Sequence, residues 1–250
     1  MRIALISDIH ANLPALEAVL ADIDSRAFDA TFHLGDLVGY APWPNEVVEM
    51  IRLRAIPGVA GNYDSTVATG YRHCGCRYED PAQEALSHAS YEWTRAHVSD
   101  ESRRFLGALP FRLDIRAGGG HRAGAQVILV HGTPTLNTVY WTEDRPDDFC
   151  LEMARRAGAR EGDVIAFGHT HLPWHREVGG IYFVNTGSVG RPKDWDCRAG
   201  YAALTIDGGT VAVDFHRVEY DVVRTAEAIR RSGLPDALAD FLRAGGPVRA

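Results

Sequence analysis

Seven polar side chains stand at or directly behind short apolar runs of the 250-residue chain. Asp8 and His10 follow Arg2 to Ile6, Asp36 ends the run Thr31 to Asp36, and Asn62 follows Pro57 to Ala60. His131 follows Gln126 to Val130, and His169 and His171 follow Val164 to Phe167. Short apolar runs rich in β-branched residues read as buried strands. Parallel strands deliver their ends to one rim of a sheet, where ligands sit. The set comprises two carboxylates, one amide and four imidazoles. Nitrogen and oxygen donors without a thiolate suit Mn, Fe, Co, Ni or Zn. If one carboxylate is shared, the seven side chains make eight bonds, four to each of two ions. Water and substrate then complete each shell, and such open positions mark a catalytic rather than a structural site.

The elements that must position these groups follow from periodicity. Leu13, Leu16, Val19, Leu20 and Ile23 recur at helical spacing, with Pro14 in the first turn and Asn12 placed to cap. A second helix is expected over Glu46 to Leu53. The opening therefore reads β-α-β-α-β, which implies parallel strands under helices. Residues 65–110 differ: Pro81 to His97 and Glu101 to Leu109 read as helices with no apolar strand between them, a helical insertion over one face. Strands return at Arg112–Ile115, Gln126–Val130, Val164–Phe167, Ile181–Val184, Tyr201–Ile206 and Val211–Val218, with a helix over Asp147 to Ala157. Gly118-Gly119-Gly120 and Gly208-Gly209 are turn signals. The later strands are too close in sequence for helical crossovers, so that half is expected to be largely antiparallel. Val222 to Arg231 and Pro235 to Arg243 are amphipathic, so residues 221–250 are expected to end the chain as helices. No repeat, low-complexity tract or linker divides the sequence, and residues 1–250 read as a single domain.

Composition narrows the class. Hydrophobic residues at 46% and charged residues at 24% are ordinary for a globular protein. A net charge of −7 with no basic run argues against a long nucleic acid as partner. A negative protein can still bind phosphate if metal ions supply local positive charge. No apolar run is long enough to span a bilayer, and the N-terminal run is too short for a secretion signal, so a cytoplasmic protein without membrane contact is expected. In that compartment Cys74, Cys76, Cys150 and Cys197 read as reduced structural thiols. A local metal using His73 with Cys74-Gly75-Cys76 is the lesser alternative.

Ser7-Asp8-Ile9-His10-Ala11-Asn12, Gly35-Asp36-Leu37-Val38, Gly61-Asn62-Tyr63-Asp64, His131-Gly132 and Gly168-His169-Thr170-His171 stand in the order of the calcineurin-like metallophosphoesterases. From about residue 2 to residue 200 the chain resembles small bacterial and archaeal members of that family. The resemblance implies an α/β fold of two facing mixed β-sheets flanked by helices. It implies one metal on Asp8, His10, Asp36 and His171, and another on Asp36, Asn62, His131 and His169, with Asp36 bridging. A hydroxide between the two divalent transition-metal ions, expected to be manganese, would attack phosphorus in a small phosphate ester, including a nucleotide. Asp36, Asn62, Tyr63 and Asp64 are the implied catalytic set.

One position departs from the family pattern. Gly-Asn-His-Asp is usual, and its His is thought to protonate the leaving group, with the Asp orienting it. Tyr63 stands in place of that His, and a phenol of pKa about 10 is a poor proton shuttle at neutral pH. Simple alkyl monoesters are therefore less expected than diesters, nucleotide phosphates or aryl-like esters. A phosphoprotein phosphatase or a dinucleoside-polyphosphate hydrolase shares the same metal core, and some relatives keep the fold as interaction scaffolds. Oligomeric state is not legible.

Other conspicuous residues have ordinary readings. His33, His73, His88, His97, His121, His175 and His216 read as structural or solvated, although His73 and His88 lie in the insertion and could reach the site. Asn12 reads as a helix cap rather than a phosphate contact. Asn185-Thr186-Gly187-Ser188-Val189-Gly190 reads as a tight turn or as support for the metal loops. Arg191, Lys193 and Arg198 could hold a phosphate but more commonly such charges are only exposed. Tyr91 and Trp93 read as core aromatics rather than a stacking surface.

Overall fold

The computed structural model describes residues 1–78, 80–117, 124–207 and 209–247. The Gly118-Gly119-Gly120 turn, His121 and Gly208 lie outside the described residues. The chain opens with β1 (Arg2–Ile6), α1 (Leu13–Asp24), β2 (Ala30–His33), α2 (Pro44–Leu53) and α3 (Asn62–Thr69). Next come α4 (Pro81–His97), α5 (Asp100–Ala108), β3 (Leu113–Ala117), β4 (Ala125–Leu129), α6 (Asp147–Ala157) and β5 (Val164–Phe167). It closes with β6 (Pro173–Val178), β7 (Ile181–Thr186), β8 (Ala199–Asp207), β9 (Thr210–Val218), α7 (Val222–Arg231) and α8 (Asp236–Ala244). Asn12 caps α1 by accepting from the Ala15 amide, as expected, and Pro14 fills the first turn, where no amide is needed.

Two sheets form, ordered β2-β1-β8-β9 and β3-β4-β5-β7-β6. Pleating sorts their residues between three cores. Ile3 and Leu5 of β1, Val127 and Leu129 of β4, Val164 and Ala166 of β5, and Ala202 and Leu204 of β8 share the layer between the sheets. Ala4 and Ile6 turn instead to the layer under α1, α2, α7 and α8. Ile128, Ile165 and Phe183 turn to the third, where α6 packs with Trp141 and Trp174. The architecture is thus an α/β sandwich of two mixed sheets with helices outside.

What serves the site is strand direction. β1 and β2 run parallel in one sheet, and β4 and β5 run parallel in the other. The loops leaving all four carry the acidic and imidazole side chains to one end of the sandwich.

Several elements differ from the sequence reading. Pro57 to Ala60 is not a strand but a single parallel bridge between Gly58 and His33. Pro57 has no amide to donate, so only its carbonyl pairs, with the His33 amide at 3.0 Å. The run Thr31 to Asp36 leaves the sheet after His33, and Leu34 to Asp36 form a loop. α3 and β6 were not anticipated. β6 pairs antiparallel with β7 at the sheet edge, and its presence lets β5 and β7 run parallel without a helical crossover. Parallel pairing is therefore more extensive in the later half than expected, although β3–β4, β6–β7 and β8–β9 are antiparallel. Among the described residues no helix is long and apolar enough to cross a membrane.

Candidate metal centre

All seven expected side chains meet at the shared rim, and none exceeds 3% relative exposure. They fall into two clusters. In the first, Asp8 Oδ1 lies 3.3 Å from His171 Nε2 and 3.8 Å from His10 Nε2. In the second, Asp36 Oδ2 lies 3.5 Å from His131 Nε2, which is 3.1 Å from Asn62 Oδ1 and 3.2 Å from His169 Nδ1. Asp36 Oδ2 is also 3.7 Å from His10 Nε2, so this carboxylate stands between the clusters.

The hydrogen bonds behind the cluster fix which atoms face inward. His10 Nδ1 donates to the Val38 carbonyl at 3.0 Å, His131 Nδ1 to Leu34 at 2.7 Å, and His171 Nδ1 to Arg191 at 2.5 Å. A carbonyl can only accept, so each of these Nδ1 atoms carries hydrogen, and in the neutral ring Nε2 presents a lone pair. The Nε2 atoms of His10 and His171 nonetheless sit 3.2 Å apart. Asn62 Nδ2 donates outward to the Cys74 carbonyl at 2.9 Å and to Cys76 Sγ at 3.2 Å, which turns its oxygen inward. Asp8 Oδ1 and His169 Nε2 are buried without a hydrogen-bond partner. The Nε2 atoms of His10 and His171 are thus two acceptors facing each other, with the unpartnered Asp8 Oδ1 beside them. A cation resolves that conflict, and His, Asp and Asn donors at these positions suit divalent ions.

Electrostatics favour the ligating form at three of the four imidazoles. Burial pushes His10, His169 and His171 below the usual imidazole range and favours their neutral, ligating form. Burial works to raise the Asp8 carboxyl, but His171, then His131 and His10, together hold it well below the carboxylate range. Burial works to lower His131, but Asp36, then Asp8 and the Leu34 carbonyl, together push it up to about 9, so this ring must give up a proton for a cation to bind.

The backbone is strained where these groups emerge. Asp8, His10, Asp36, His169 and His171 all have positive φ, between 50° and 65°. Left-handed conformations in such residues persist only where surrounding structure imposes them, and they gather at functional sites. The imposing contacts are visible. Ser188 Oγ and the Gly190 amide donate to the Asp8 carbonyl at 2.8 and 3.0 Å, and Asn185 Nδ2 donates to the Gly168 carbonyl at 2.8 Å. The Asn185–Gly190 segment is therefore bonded to the metal loops as well as turning the chain. A Cβ on Gly61 would overlap the Asp36 carboxylate. Asn12 caps α1 and also donates to the Gly190 carbonyl at 2.9 Å.

Tyr63 and Asp64 adjoin the seven groups without facing into them as the others do. The Tyr63 ring stands edge-on to His10, with centroids 5.6 Å apart, and its hydroxyl meets Ser87 Oγ of α4 at 2.9 Å. Burial pushes that phenol well above its ordinary pKa. Its oxygen is engaged by the helical layer of α4. Asp64 accepts from the Leu37 and Gly61 amides, both at 2.9 Å, and braces the loops of Asp36 and Asn62 instead of orienting side chain 63.

Other neighbours were missed or set aside. Ser7 Oγ donates to Asp8 Oδ2 at 2.6 Å, and the Tyr140 ring lies 4.6 Å from that of His169. Ser7 adjoins Asp8 in sequence, whereas nothing in the sequence marks Tyr140. The Arg191 guanidinium is held between the rings of Tyr40 and Phe241, 4.0 and 3.8 Å from their centroids, while its carbonyl holds His171. Lys193 is half-buried near the cluster, its amine drawn down to about 8 by burial and by Arg191. Arg198 pairs with Asp196 at the surface. Tyr91 is a core residue beside Tyr63, and Trp93 donates to the Ser232 carbonyl. His73 and His88 line a cleft beyond Cys74 and Cys76.

A fold of this kind, with acidic and imidazole groups paired at one rim, defines a metal-dependent esterase. The family model of the calcineurin-like phosphoesterase superfamily domain matches residues 1–209. The chain belongs to that superfamily and is a metal-dependent phosphoric ester hydrolase. The crystal structure of a metallophosphoesterase from Sphaerobacter thermophilus superposes with a TM-score of 0.74 at 32% identity, covering 98% of this chain and 100% of that one. A hypothetical protein from Pyrococcus horikoshii superposes with a TM-score of 0.82 at 25% identity, covering 99% of each. Phosphodiesterase YfcE of Escherichia coli K12 is 27% identical over 77% of this chain and 82% of its own length.

Proposed function

We propose that the protein binds two divalent transition-metal ions, manganese foremost, and hydrolyses a phosphodiester or nucleotide-type ester. Asp8, His10, Asp36 and His171 would hold one ion, and Asp36, Asn62, His131 and His169 the other. The observation that carries this reading is the convergence of acceptor atoms, with Asp8 Oδ1 and His169 Nε2 left unpartnered. Bound there, divalent ions supply Lewis acidity toward phosphate oxygens and a hydroxide nucleophile near neutral pH.

The chain's own residues perform the positioning. The three backbone carbonyls on Nδ1 keep His10, His131 and His171 in the ligating tautomer. Asp64 locks the loops of Asp36 and Asn62 to each other. Lys193 supplies a cation beside the cluster that can meet a phosphate oxygen. Position 63 holds a phenol engaged by Ser87 in place of an imidazole, which favours esters whose leaving oxygen needs little protonation. Residues 65–110 serve as the cap of a single domain, walling the site through the Tyr63–Ser87 contact.

The decisive experiment combines elemental analysis with turnover of a chromogenic aryl phosphodiester. Manganese-loaded protein is expected to retain two equivalents of metal and to hydrolyse the diester faster than an alkyl monoester. Full turnover by protein proven metal-free would overturn the reading. Two bound ions without turnover of any ester would instead favour a scaffold.

A further inference from the structure

The segment joining α3 to α4 carries Cys74-Gly75-Cys76 against the candidate centre. Gly75 turns the chain with φ +82°. The turn is held by its own amide, which donates to His73 Nδ1 at 3.0 Å. It brings both cysteines to one atom, Asn62 Nδ2, which donates to the Cys74 carbonyl at 2.9 Å and to Cys76 Sγ at 3.2 Å. Cys74 Sγ also lies 3.7 Å from both Tyr78 Oη and Ser87 Oγ. Both cysteines line a cleft of 370 Å³, bounded also by Arg72, His73, Tyr78 and His88, so a small reagent can reach them. On its other side the same pair grips Asn62, through the Cys74 carbonyl and Cys76 Sγ. Cys150, a residue of α6, is buried in the third core.

We propose that Cys74 and Cys76 form a reversible disulfide on reaction with a small-molecule disulfide, and that this oxidation slows hydrolysis at the adjoining centre by displacing Asn62. The chemistry is thiol–disulfide exchange. One cysteine sulfur attacks the reagent's disulfide, forming a mixed disulfide and releasing one thiol. The second cysteine sulfur then attacks the mixed disulfide and expels the other thiol. Two protein thiols are oxidised, one reagent disulfide is reduced to two thiols, and the protons pass from the cysteines to the products. A disulfide holds its two sulfurs about 2.05 Å apart, well inside any non-bonded contact. Drawing Cys76 Sγ toward Cys74 pulls it from its 3.2 Å contact with Asn62 Nδ2. A disulfide across a three-residue loop is strained, which makes it readily reduced again, as reversible control requires.

The slowing of hydrolysis rests on Asn62 belonging to the metal centre, whereas the disulfide does not. Manganese-loaded protein is incubated with oxidised glutathione, digested and mapped by mass. The expected peptide contains Cys74 and Cys76 and is lighter by two hydrogens. Turnover of the aryl phosphodiester is expected to fall about 10–100-fold, the usual effect of losing a partner that orients a metal ligand, and to recover with dithiothreitol. Cys74→Ser, compared with its own untreated rate, is expected to lose the response, while Cys197→Ser keeps it. Persistent glutathionylation without the internal disulfide overturns the proposal, as does a mapped disulfide with unchanged turnover. If reduced wild-type protein hydrolyses no ester, the phosphoesterase reading fails by itself. The mass map and manganese retention, compared between reduced and oxidised protein, then decide the thiol switch.

Discussion

Removing the Tyr63 hydroxyl separates two roles for this side chain. In the structure that oxygen meets Ser87 Oγ at 2.9 Å, and Ser87 also has Tyr78 and Tyr40 as hydroxyl partners. The ring itself is wedged between His10, Tyr40 and Tyr91. Tyr63→Phe keeps the ring and deletes one hydrogen bond from a network that retains others. The expected loss of stability is about 0.5–1.5 kcal/mol, the net worth of one buried hydrogen bond. Turnover should change by less than about threefold, since no proton is relayed through the deleted oxygen. A general acid at this position would contribute about 10²–10⁴-fold, most of it on strongly basic leaving groups. The assay is kcat/KM for diesters of graded leaving-group pKa, with parent and Tyr63→Phe each loaded with manganese. Parallel lines with a steep negative slope are expected. A hundredfold fall confined to alkyl leaving groups would show the phenol donating a proton in turnover, and would refute the reading of Tyr63 as a wall.

Three further outcomes follow from the site. Asp36→Asn removes the carboxylate standing between the clusters; turnover should fall at least about 10³-fold and bound manganese from two equivalents toward one, measured by elemental analysis with circular dichroism as a control for folding. Chelation should abolish turnover, and Mn, Co or Ni should restore it in titration; activity indifferent to exhaustive chelation counts against the metal assignment. Gly61→Ala places a methyl on the Asp36 carboxylate, so this one-carbon change should cost more than about 3 kcal/mol in denaturant unfolding or, if the loop yields, abolish metal binding; a variant stable and active within twofold would contradict the packing.

Much of this was legible because local signals agreed. Helix α4 runs from Pro81 to His97 as read, since Asp80 caps it and Pro81 sits where no amide is required. Strand β5, Val164–Phe167, has four fully buried residues, so an unbroken apolar run is its signature. The ligand candidates were legible for a related reason: polar residues that close apolar strands have only the rim to occupy. The failures have physical causes as well. β6 is an edge strand whose exposed face carries His175 and Glu177, and its leading proline argues against a strand. α3, with three threonines or serines among eight residues, has weak propensity and is set by Asp64 accepting from the Gly61 amide. The position of the Tyr63 hydroxyl depends on where α4 docks, which no local pattern encodes.

The left-handed backbone at Asp8, His10, Asp36, His169 and His171 has a thermodynamic consequence. At about 1–3 kcal/mol for each such residue, five of them cost about 5–15 kcal/mol, as much as the whole net stability of an ordinary domain. Without ions, that cost is met by the sandwich alone, together with the repulsion of converging lone pairs. Metal binding draws on the same strained geometry already assembled, so ions add stability without first having to reorganise the loops. Folding and metal uptake are then linked in a definite direction: ions at a hundred times their dissociation constant add about 2.7 kcal/mol for each site. Cells short of the metal would therefore hold a protein that is inactive and also easier to unfold, so that scarcity of the ion lowers its abundance as well as its turnover.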